Sequence, residues 1–600
     1  MQRYGIYSPI LGLRKDIPNI LLDKAFTPDN EDILFWNGEI EKAKKRLPLL
    51  TRSAYQITDK NNTNKTLTVD GNHIIEFDPT DTIGVYLQGD TSKTQRGTFT
   101  VVEATASGTD TIITVTAAIT DVVIGDFLYN NTDGFTNNLK VAAPDGFEII
   151  KYHRHIAGDS TNFTLAFTKA HAYYWNTVYT EWTELFECAS DCEYWSVQSF
   201  FGGVVATNNV DYPQWWSGDT EDSFEKLGGA SGPEISTGVY INKAVACYVF
   251  EDSIYLGGYS STKGDTYPNG MILCGVADET AWMLNGTSGA AAFPVVGKGI
   301  IVAFGKKGNF LYVFKERSIR VYWATGTTTI LSSQAYANEV GCFSQDSIGN
   351  DHKGNLYFYA SDKTFMEVDL GIISQGINPI AENVNQAYLK KINCGFVEEY
   401  SEMWWNIPYG ADQTTNNKTL CYKDGKWSSR NMSITAMGTG VFVRGETLTW
   451  LTLPYATWYD WDWTSWILPA GETGFPIDIC SDSSGYTYAL HNSYLDDNET
   501  YESYFVVGTD FEDKRYFKRL VFVNVYIRNA TYGTMDLYFK QDNEPNWQYA
   551  GEISLSGDND ILCVNLPVDY RFKYIQVKGV SSDRFNFIGI DFEYTIAGER

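Results

Sequence analysis

The chain is short of positive charge for its length. Its 600 residues include 46 Lys and Arg against 74 Asp and Glu, which gives a formal net charge of −28. Tight binding of a phosphate backbone depends on Lys and Arg residues that neutralise phosphates and release their counterions. An acidic chain lacks an excess of these residues, so we exclude tight, charge-driven binding of nucleic acid. An acidic wall would still let a passing duplex slide along it, while the simpler interpretation is a well-solvated acidic surface.

Cysteine and histidine are sparse too. The nine cysteines are an odd number with scattered spacing, and Cys188 and Cys192 lack the second pair that a zinc site needs. We therefore predict reduced, buried thiols. Among six histidines, His153 and His155 share one face of a predicted strand, which could begin a metal site. No third ligand is identifiable, so we interpret them as ordinary strand histidines and predict no metal.

Motifs that carry chemistry are missing. The chain has no Gly-x-Ser-x-Gly, no phosphate-binding glycine loop and no His-Glu-x-x-His. Its many acidic residues leave a glycosidase carboxylate pair open. No run approaches the ~20 apolar residues of a membrane helix, and the opening residues contain no signal-type apolar core. We predict a protein that is not an enzyme, takes no cofactor and has no membrane span.

Aromatic residues and glycines are abundant, at 15% and 52 residues. Between Ile300 and Leu370 an apolar, aromatic strand pattern is broken by two similar turns, Lys306–Asn309 and His352–Asn355. Strands after Gly-Asn turns are typical of antiparallel sheets. Similar patterns recur at about 45 residues over 141–495, the period of propeller blades. We predict a β-propeller of about six or seven blades there.

The remaining chain differs in composition. Residues 1–60 are predicted to be an extended segment that joins the propeller, with Glu39–Arg46 as either a helix or a hairpin arm. Residues 61–140 are rich in Thr, Asp and Asn and predict an inserted small β-barrel or sandwich. Residues 496–600 predict a C-terminal β-sandwich. The predicted fold class is therefore all-β.

One aromatic run is a candidate site. It contains four tryptophans, Trp458, Trp461, Trp463 and Trp466. Tyr and Trp are enriched at interfaces and stack on sugars, so the run is a candidate interface or ligand surface. Packing of a blade strand against other aromatic residues explains the run equally well.

Several phrases, taken in order, resemble one family of viral proteins. They are Asn37–Ile40 with Lys45–Pro48, Phe201–Gln214, Gly270–Trp282, Val313–Ile319 and Val340–Cys342. Together they are similar to the tail nozzle proteins of short-tailed bacteriophages, the packaged-DNA stabilisation or tail tubular proteins. The resemblance covers most of the chain except the predicted insert.

The resemblance implies a structural protein of the virion tail, assembled in the host cytoplasm. Six copies would form a ring below the portal and its adaptor, next to tail fibre, spike or needle proteins. The channel between the copies would retain viral DNA and then release it without sequence-specific binding.

Two other functions remain open on the residues alone. A carbohydrate-binding or glycan-cleaving propeller would use the tryptophan run, and a receptor-binding adhesin would use the insert as its tip.

Overall fold

The computed structural model describes most of the chain, and everything below refers to that part. The described residues are 2–7, 11–16, 26–36, 39–48, 54–69, 82–86, 95–107, 110–124, 127–130, 141–176, 181–326, 331–442, 476–494, 496, 500–508, 516–528, 533–541, 544–556 and 561–596. The protein is all-β, with many small antiparallel sheets. Its described helical segments are the α-helix Asn378–Glu382 and the 3-10 segments Gln345–Ser347, Gln375–Ile377 and Gln386–Lys391.

Seven of the sheets, here called ring sheets 1 to 7, follow one another along the chain, and most join consecutive strands in a simple meander. Sheet 1 is Ile149–Ile156, Asn162–Thr168, His171–Asn176 and Glu181–Glu187. Sheet 2 is Ser196–Phe200, Gly203–Thr207, Gln214–Trp216 and Glu225–Lys226. Sheet 3 is Glu234–Ser236, Val239–Phe250, Ser253–Ser261, Thr266–Leu273 and Ala291–Pro294.

The other four ring sheets repeat the pattern. Sheet 4 is Ile301–Lys307, Phe310–Lys315, Ile319–Ala324 and Leu331–Ala337. Sheet 5 is Gly349–Asn350, Leu356–Tyr359, Phe365–Glu367 and Gly371–Ile372. Sheet 6 is Asn393–Val397, Glu402–Ile407, Lys418–Lys423 and Lys426–Arg430. Sheet 7 is Ala436–Gly440, Ile477–Ser481 and Tyr486–Ser493 with two short edge strands, Lys45–Pro48 and Val141–Ala142.

The ring sheets contact one another in a closed cycle. Each sheet touches the next through strands near its start, and Ala436–Gly440 of sheet 7 returns to Ile149–Ile156 of sheet 1. A buried apolar cluster lies between each neighbouring pair of sheets. Between sheets 1 and 2, for example, Phe163 packs edge-on against Trp216, with ring centroids 5.1 Å apart. Burial of these sheet faces holds the cycle together, because apolar area removed from water is the main favourable term in folding.

Sheet 7 is completed by two pieces of chain that lie far from it in sequence. Pro48 pairs with Tyr488, and Val141 pairs with the adjacent Thr487. Lys45–Pro48 and Val141–Ala142 therefore lie end to end along one edge of the sheet. Together they resemble a single edge strand that is interrupted between Pro48 and Val141.

The chain between Pro48 and Val141 forms a closed six-stranded barrel. Its strands are Ala54–Asn61, Thr66–Val69, Thr82–Tyr86, Gln95–Ser107, Asp110–Val115 and Phe127–Asn130. Alternate β-branched and aromatic residues such as Ile83, Val85, Phe99 and Ile113 fill its interior. The first barrel strand begins before residue 61, and the predicted bounds of the insert stay a prediction.

The two ends of the chain meet in a further pair of sheets, the paired core sheets. One contains Gln2–Tyr7, Ile33–Trp36, Glu39–Lys42, Lys518–Arg528, Ile561–Phe572 and Asn586–Ile596. The other contains Asn30–Glu31, Ser503–Gly508, Thr534–Gln541, Gln548–Ser554 and Ile575–Ser581. Side chains from both sheets form one buried cluster, in which Phe505 and Phe587 lie 4.2 Å apart between ring centroids.

The locally encoded turns are confirmed. Lys307 pairs with Phe310 around Gly308, which has a φ of +57°, and Gly354 has a φ of +79°. Glycine has no Cβ to oppose this left-handed conformation. Of the two alternatives for Glu39–Arg46, the hairpin is correct, because Glu39–Lys42 pairs with Ile33–Trp36. The N-terminal segment thus contributes strands to the paired core sheets as well as to ring sheet 7.

Candidate functional site at the centre of the ring

The centre of the seven-sheet cycle holds a short polar turn, Gln345–Ser347, which we call the axial turn. Each of its residues bonds to a different ring sheet. Gln345 Nε2 donates to the Val245 carbonyl of sheet 3 at 2.8 Å, and Lys151 Nζ of sheet 1 lies 2.5 Å from Asp346 Oδ1. Trp405 Nε1 of sheet 6 donates to the Ser347 carbonyl at 3.2 Å. The axial turn therefore braces the ring from inside.

Residues of the axial turn help to line two cavities. The larger, of about 650 Å³, is lined by Glu193, Glu316, Asp346 and Lys390 together with apolar residues such as Phe343. Lys390 Nζ is paired with Glu193. Asp346 is likewise paired with Lys151, so ion pairs compensate two of the three carboxylates in the lining.

The smaller cavity, of about 200 Å³, lies among the first strands of the ring sheets. Lys151, Gln198, Cys247 and Asp346 line it. Burial raises the pKa of the Cys247 thiol to about 12, although a hydrogen bond with Ser196 and the nearby Lys151 act against this rise. The thiol is protonated at neutral pH, and a protonated thiol is a poor nucleophile.

The larger cavity contains no serine–histidine pair among the described residues. The Ser344 hydroxyl in the larger cavity donates to the Ile392 carbonyl at 2.6 Å, so it is used for structure. No histidine lines either cavity.

The predicted strand histidines also have a structural use. His153 Nε2 and His155 Nδ1 each lie 2.9 Å from the Ser199 hydroxyl, and His155 Nε2 donates to the Gly202 carbonyl. They share one face of their strand, as expected. Burial lowers the pKa of His153 to about 3, with Lys151 and His155 adding to the effect. Both rings therefore fasten sheet 1 to sheet 2 as neutral hydrogen-bonding groups.

The tryptophan run gives no further information. Trp458, Trp461, Trp463 and Trp466 lie outside the described residues. Their role as interface or ligand aromatics stays a prediction.

The sequence segments that carry the family resemblance form turns and close contacts between strands. Asn208 Oδ1 accepts from the backbone N–H groups of Val210 and Asp211, both at 2.9 Å, which forms an Asx turn before Pro213. Trp282 Nε1 donates to the Glu279 carbonyl at 2.7 Å. These hydrogen bonds hold turns within ring sheets 2 and 3.

Two of those phrases contact each other directly. Cys342 N donates to the Lys315 carbonyl at 2.9 Å. At the neighbouring Gly341, a Cβ would lie 2.0 Å from the same carbonyl oxygen, so only glycine fits. The buried Lys315 Nζ donates to the Val295 and Gly297 carbonyls at 3.1 and 2.6 Å. Val313–Ile319 and Val340–Cys342 are therefore one structural unit.

The axial turn itself was missed at the sequence level. A polar run, Ser344–Ser347, interrupts the aromatic pattern and is the signal that could have indicated it. Its partners Lys151, Val245 and Trp405 lie too far away in sequence for any local pattern to connect them.

Comparisons with known proteins add no family. No protein-family model matches the sequence, and no curated protein matches it. None of the described helices has the length or apolar character needed to cross a membrane.

Proposed function

We propose that this protein is a structural component of a short-tailed bacteriophage tail, of the tail nozzle type. In this proposal the seven ring sheets are the blades of a seven-bladed β-propeller and the paired core sheets are a β-sandwich. Copies of the chain, six by the resemblance, stand around a channel below the portal and its adaptor. The channel retains viral DNA until infection and then releases it.

The observation that carries the proposal is the braced centre of the ring. The axial turn is tied to sheets 1, 3 and 6 by Lys151, Val245 and Trp405. A filled, cross-braced ring is unsuited to passing a duplex through itself, but it makes a rigid block from which a wider channel can be built between copies.

The charge of the chain supports the same role. With a net charge of −28, copies arranged around DNA would present an acidic wall. Such a wall repels the phosphate backbone, so DNA slides past it and is not held. The resemblance phrases support the proposal in a second way, because they maintain the ring and its turns, the features that a structural family would share.

Electron microscopy of phage particles assembled without this chain tests the proposal. We expect heads that package DNA but leak it, with tails that stop at the adaptor. Particles with full heads and complete tails that fail to bind cells would overturn the proposal in favour of an adhesin. Glycan binding or hydrolysis by the purified chain, lost on Trp461→Ala, would overturn it in favour of a glycan-active protein.

A further inference from the structure

A histidine and two glutamates meet on the outer hairpin of ring sheet 1. One ligand atom from each of His171, Glu184 and Glu187 lies within 4.8 Å of the other two. His171 Nε2 is 4.0 Å from Glu184 Oε2. Glu184 and Glu187 both lie on Glu181–Glu187, the edge strand of the sheet, and are exposed to solvent.

A β-bulge brings the three side chains to one face. In a regular strand, residues three apart point to opposite faces. Here Glu187 pairs with His171, and Glu184 pairs with Tyr173, two residues further along the neighbouring strand. The register shift at Leu185 absorbs the extra residue, so both glutamates face the same way as His171. Bulges commonly redirect side chains in this manner.

The imidazole is held in the tautomer that a metal requires. Asp145 Oδ2 lies 3.1 Å from His171 Nδ1, and only 7% of the Asp145 side chain is exposed. The same oxygen accepts a 2.5 Å hydrogen bond from the Thr168 hydroxyl. Nδ1 therefore carries the proton, and the Nε2 lone pair points to the side of the glutamates. Carboxylate–histidine–metal arrangements fix ligand histidines in the same way.

The charges around the hairpin favour a cation. In the part of the chain that the structure describes, neither glutamate is paired with a lysine or arginine, and His171 is the sole ion-pair partner of Glu184. Two carboxylates thus face one imidazole nitrogen.

We propose that His171, Glu184 and Glu187 bind a divalent transition-metal ion, with Zn²⁺ as the best fit. One imidazole nitrogen and two carboxylate oxygens suit Zn²⁺, whereas Mg²⁺ and Ca²⁺ prefer oxygen ligands alone. Rotation of the two exposed glutamates brings their oxygens to the bonding distance of about 2.0–2.2 Å, and water completes the tetrahedron. The ion joins the edge strand to its neighbour.

Titration of the full-length chain with Zn²⁺ by calorimetry, and with Co²⁺ by absorption spectroscopy, tests the site. We expect one ion per chain and no comparable binding of Mg²⁺. His171→Gln and, separately, Glu187→Gln should weaken Zn²⁺ binding at least ~10-fold, and Asp145→Asn ~10- to 100-fold. His352→Gln, a change at an exposed histidine outside the cluster, is the control and should leave binding unchanged.

The cobalt spectrum separates this site from one formed by thiols. Cys188 and Cys192 lie close to Glu187 in sequence and are both free. Nitrogen and oxygen ligands give weak visible bands, whereas thiolates add a strong sulfur-to-cobalt charge-transfer band in the ultraviolet. That strong band, or unchanged Zn²⁺ binding in Glu187→Gln, would overturn the assignment. So would the absence of binding by the unaltered chain. Glu187 is exposed, so its replacement leaves the fold intact and the result is interpretable.

Discussion

Lys151 and Asp346 form an ion pair across the centre of the ring, with Nζ 2.5 Å from Oδ1. The pair joins sheet 1 to the axial turn that precedes sheet 5. Burial acts to lower the pKa of Lys151, but the Asp346 carboxylate raises it, and the net shift is upward. The ammonium form is therefore favoured in the folded ring, and each charge depends on the other.

Replacing one member of this pair should lower the free energy of unfolding more than replacing both members. Lys151→Met leaves the Asp346 carboxylate uncompensated and is expected to lower the free energy of unfolding by about 3 kcal/mol. The double variant Lys151→Met/Asp346→Leu should lose clearly less. Urea unfolding followed by tryptophan fluorescence measures both. Lys298→Met, at the exposed pair with Glu339, is the control and should change little. A double variant as unstable as the single one would contradict this account.

Gly341 should tolerate no side chain. The Cβ of an alanine there would lie 2.0 Å from the Lys315 carbonyl oxygen and 2.6 Å from Arg317 N, both backbone atoms that cannot move aside cheaply. Gly341→Ala is expected to destabilise sheet 4 by about 3 kcal/mol, or to yield insoluble protein. Gly158→Ala, whose Cβ would meet nothing within 4 Å, is the matched control. Equal thermal midpoints for the two variants would disprove the close-contact argument.

Asp478 should make the free energy of unfolding fall as pH rises, which is the opposite of the effect of an ion-paired carboxylate. Burial raises its pKa to about 7, and the neighbouring Glu398 and Glu399 carboxylates add to the rise. Between about pH 4 and pH 7, Asp478 is therefore protonated in the folded chain and ionised in the unfolded chain. Its contribution to the free energy of unfolding falls as pH rises through that range.

Asp478→Asn isolates that effect. The variant should gain on the order of 1–2 kcal/mol over the unaltered chain at pH 8 and nothing at pH 4. Thermal unfolding at both pH values measures the gain. Asp424→Asn, on an exposed turn, corrects for the loss of one surface charge. An equal gain at the two pH values would show that burial of Asp478 has no such consequence.

The barrel should be removable without loss of the ring. Pro48 and Val141 pair with the consecutive residues Tyr488 and Thr487, so joining them directly restores one continuous edge strand. Deletion of residues 49–140 is expected to leave the thermal midpoint of the remaining chain within a few degrees. If the proposed tail function is correct, phage particles that carry the deletion should retain DNA. Whole particles that no longer adsorb would assign receptor binding to the barrel, and an unfolded remainder would refute the continuous-strand argument.

Features encoded over a few residues could be predicted from the sequence. The turns at Gly308 and Gly354 and the all-β class follow from glycine placement and from β-branched and aromatic strands, which act locally. The sequence does not distinguish a helix from a hairpin at Glu39–Arg46, because its charged residues show no clear periodicity. Its pairing with Ile33–Trp36 decides between them.

The two candidate sites depend on contacts that no local pattern contains. Lys151 and Asp346 are separated by 195 residues along the chain, so nothing near either residue indicates the other. Glu184 and Glu187 are close in sequence, but their spacing predicts opposite faces of a strand. The bulge at Leu185 reverses that expectation, and a bulge is set by the partner strand as much as by its own residues.

The pairing of Gln2–Tyr7 with Asn586–Ile596 constrains how the protein is made. Gln2–Tyr7 cannot pair until Asn586–Ile596 has been synthesised, and Lys45–Pro48 cannot pair until Tyr486–Ser493 has been synthesised. Such long-range pairings make folding slow and late. A chain that ends before Tyr486 therefore lacks both of these strand pairings.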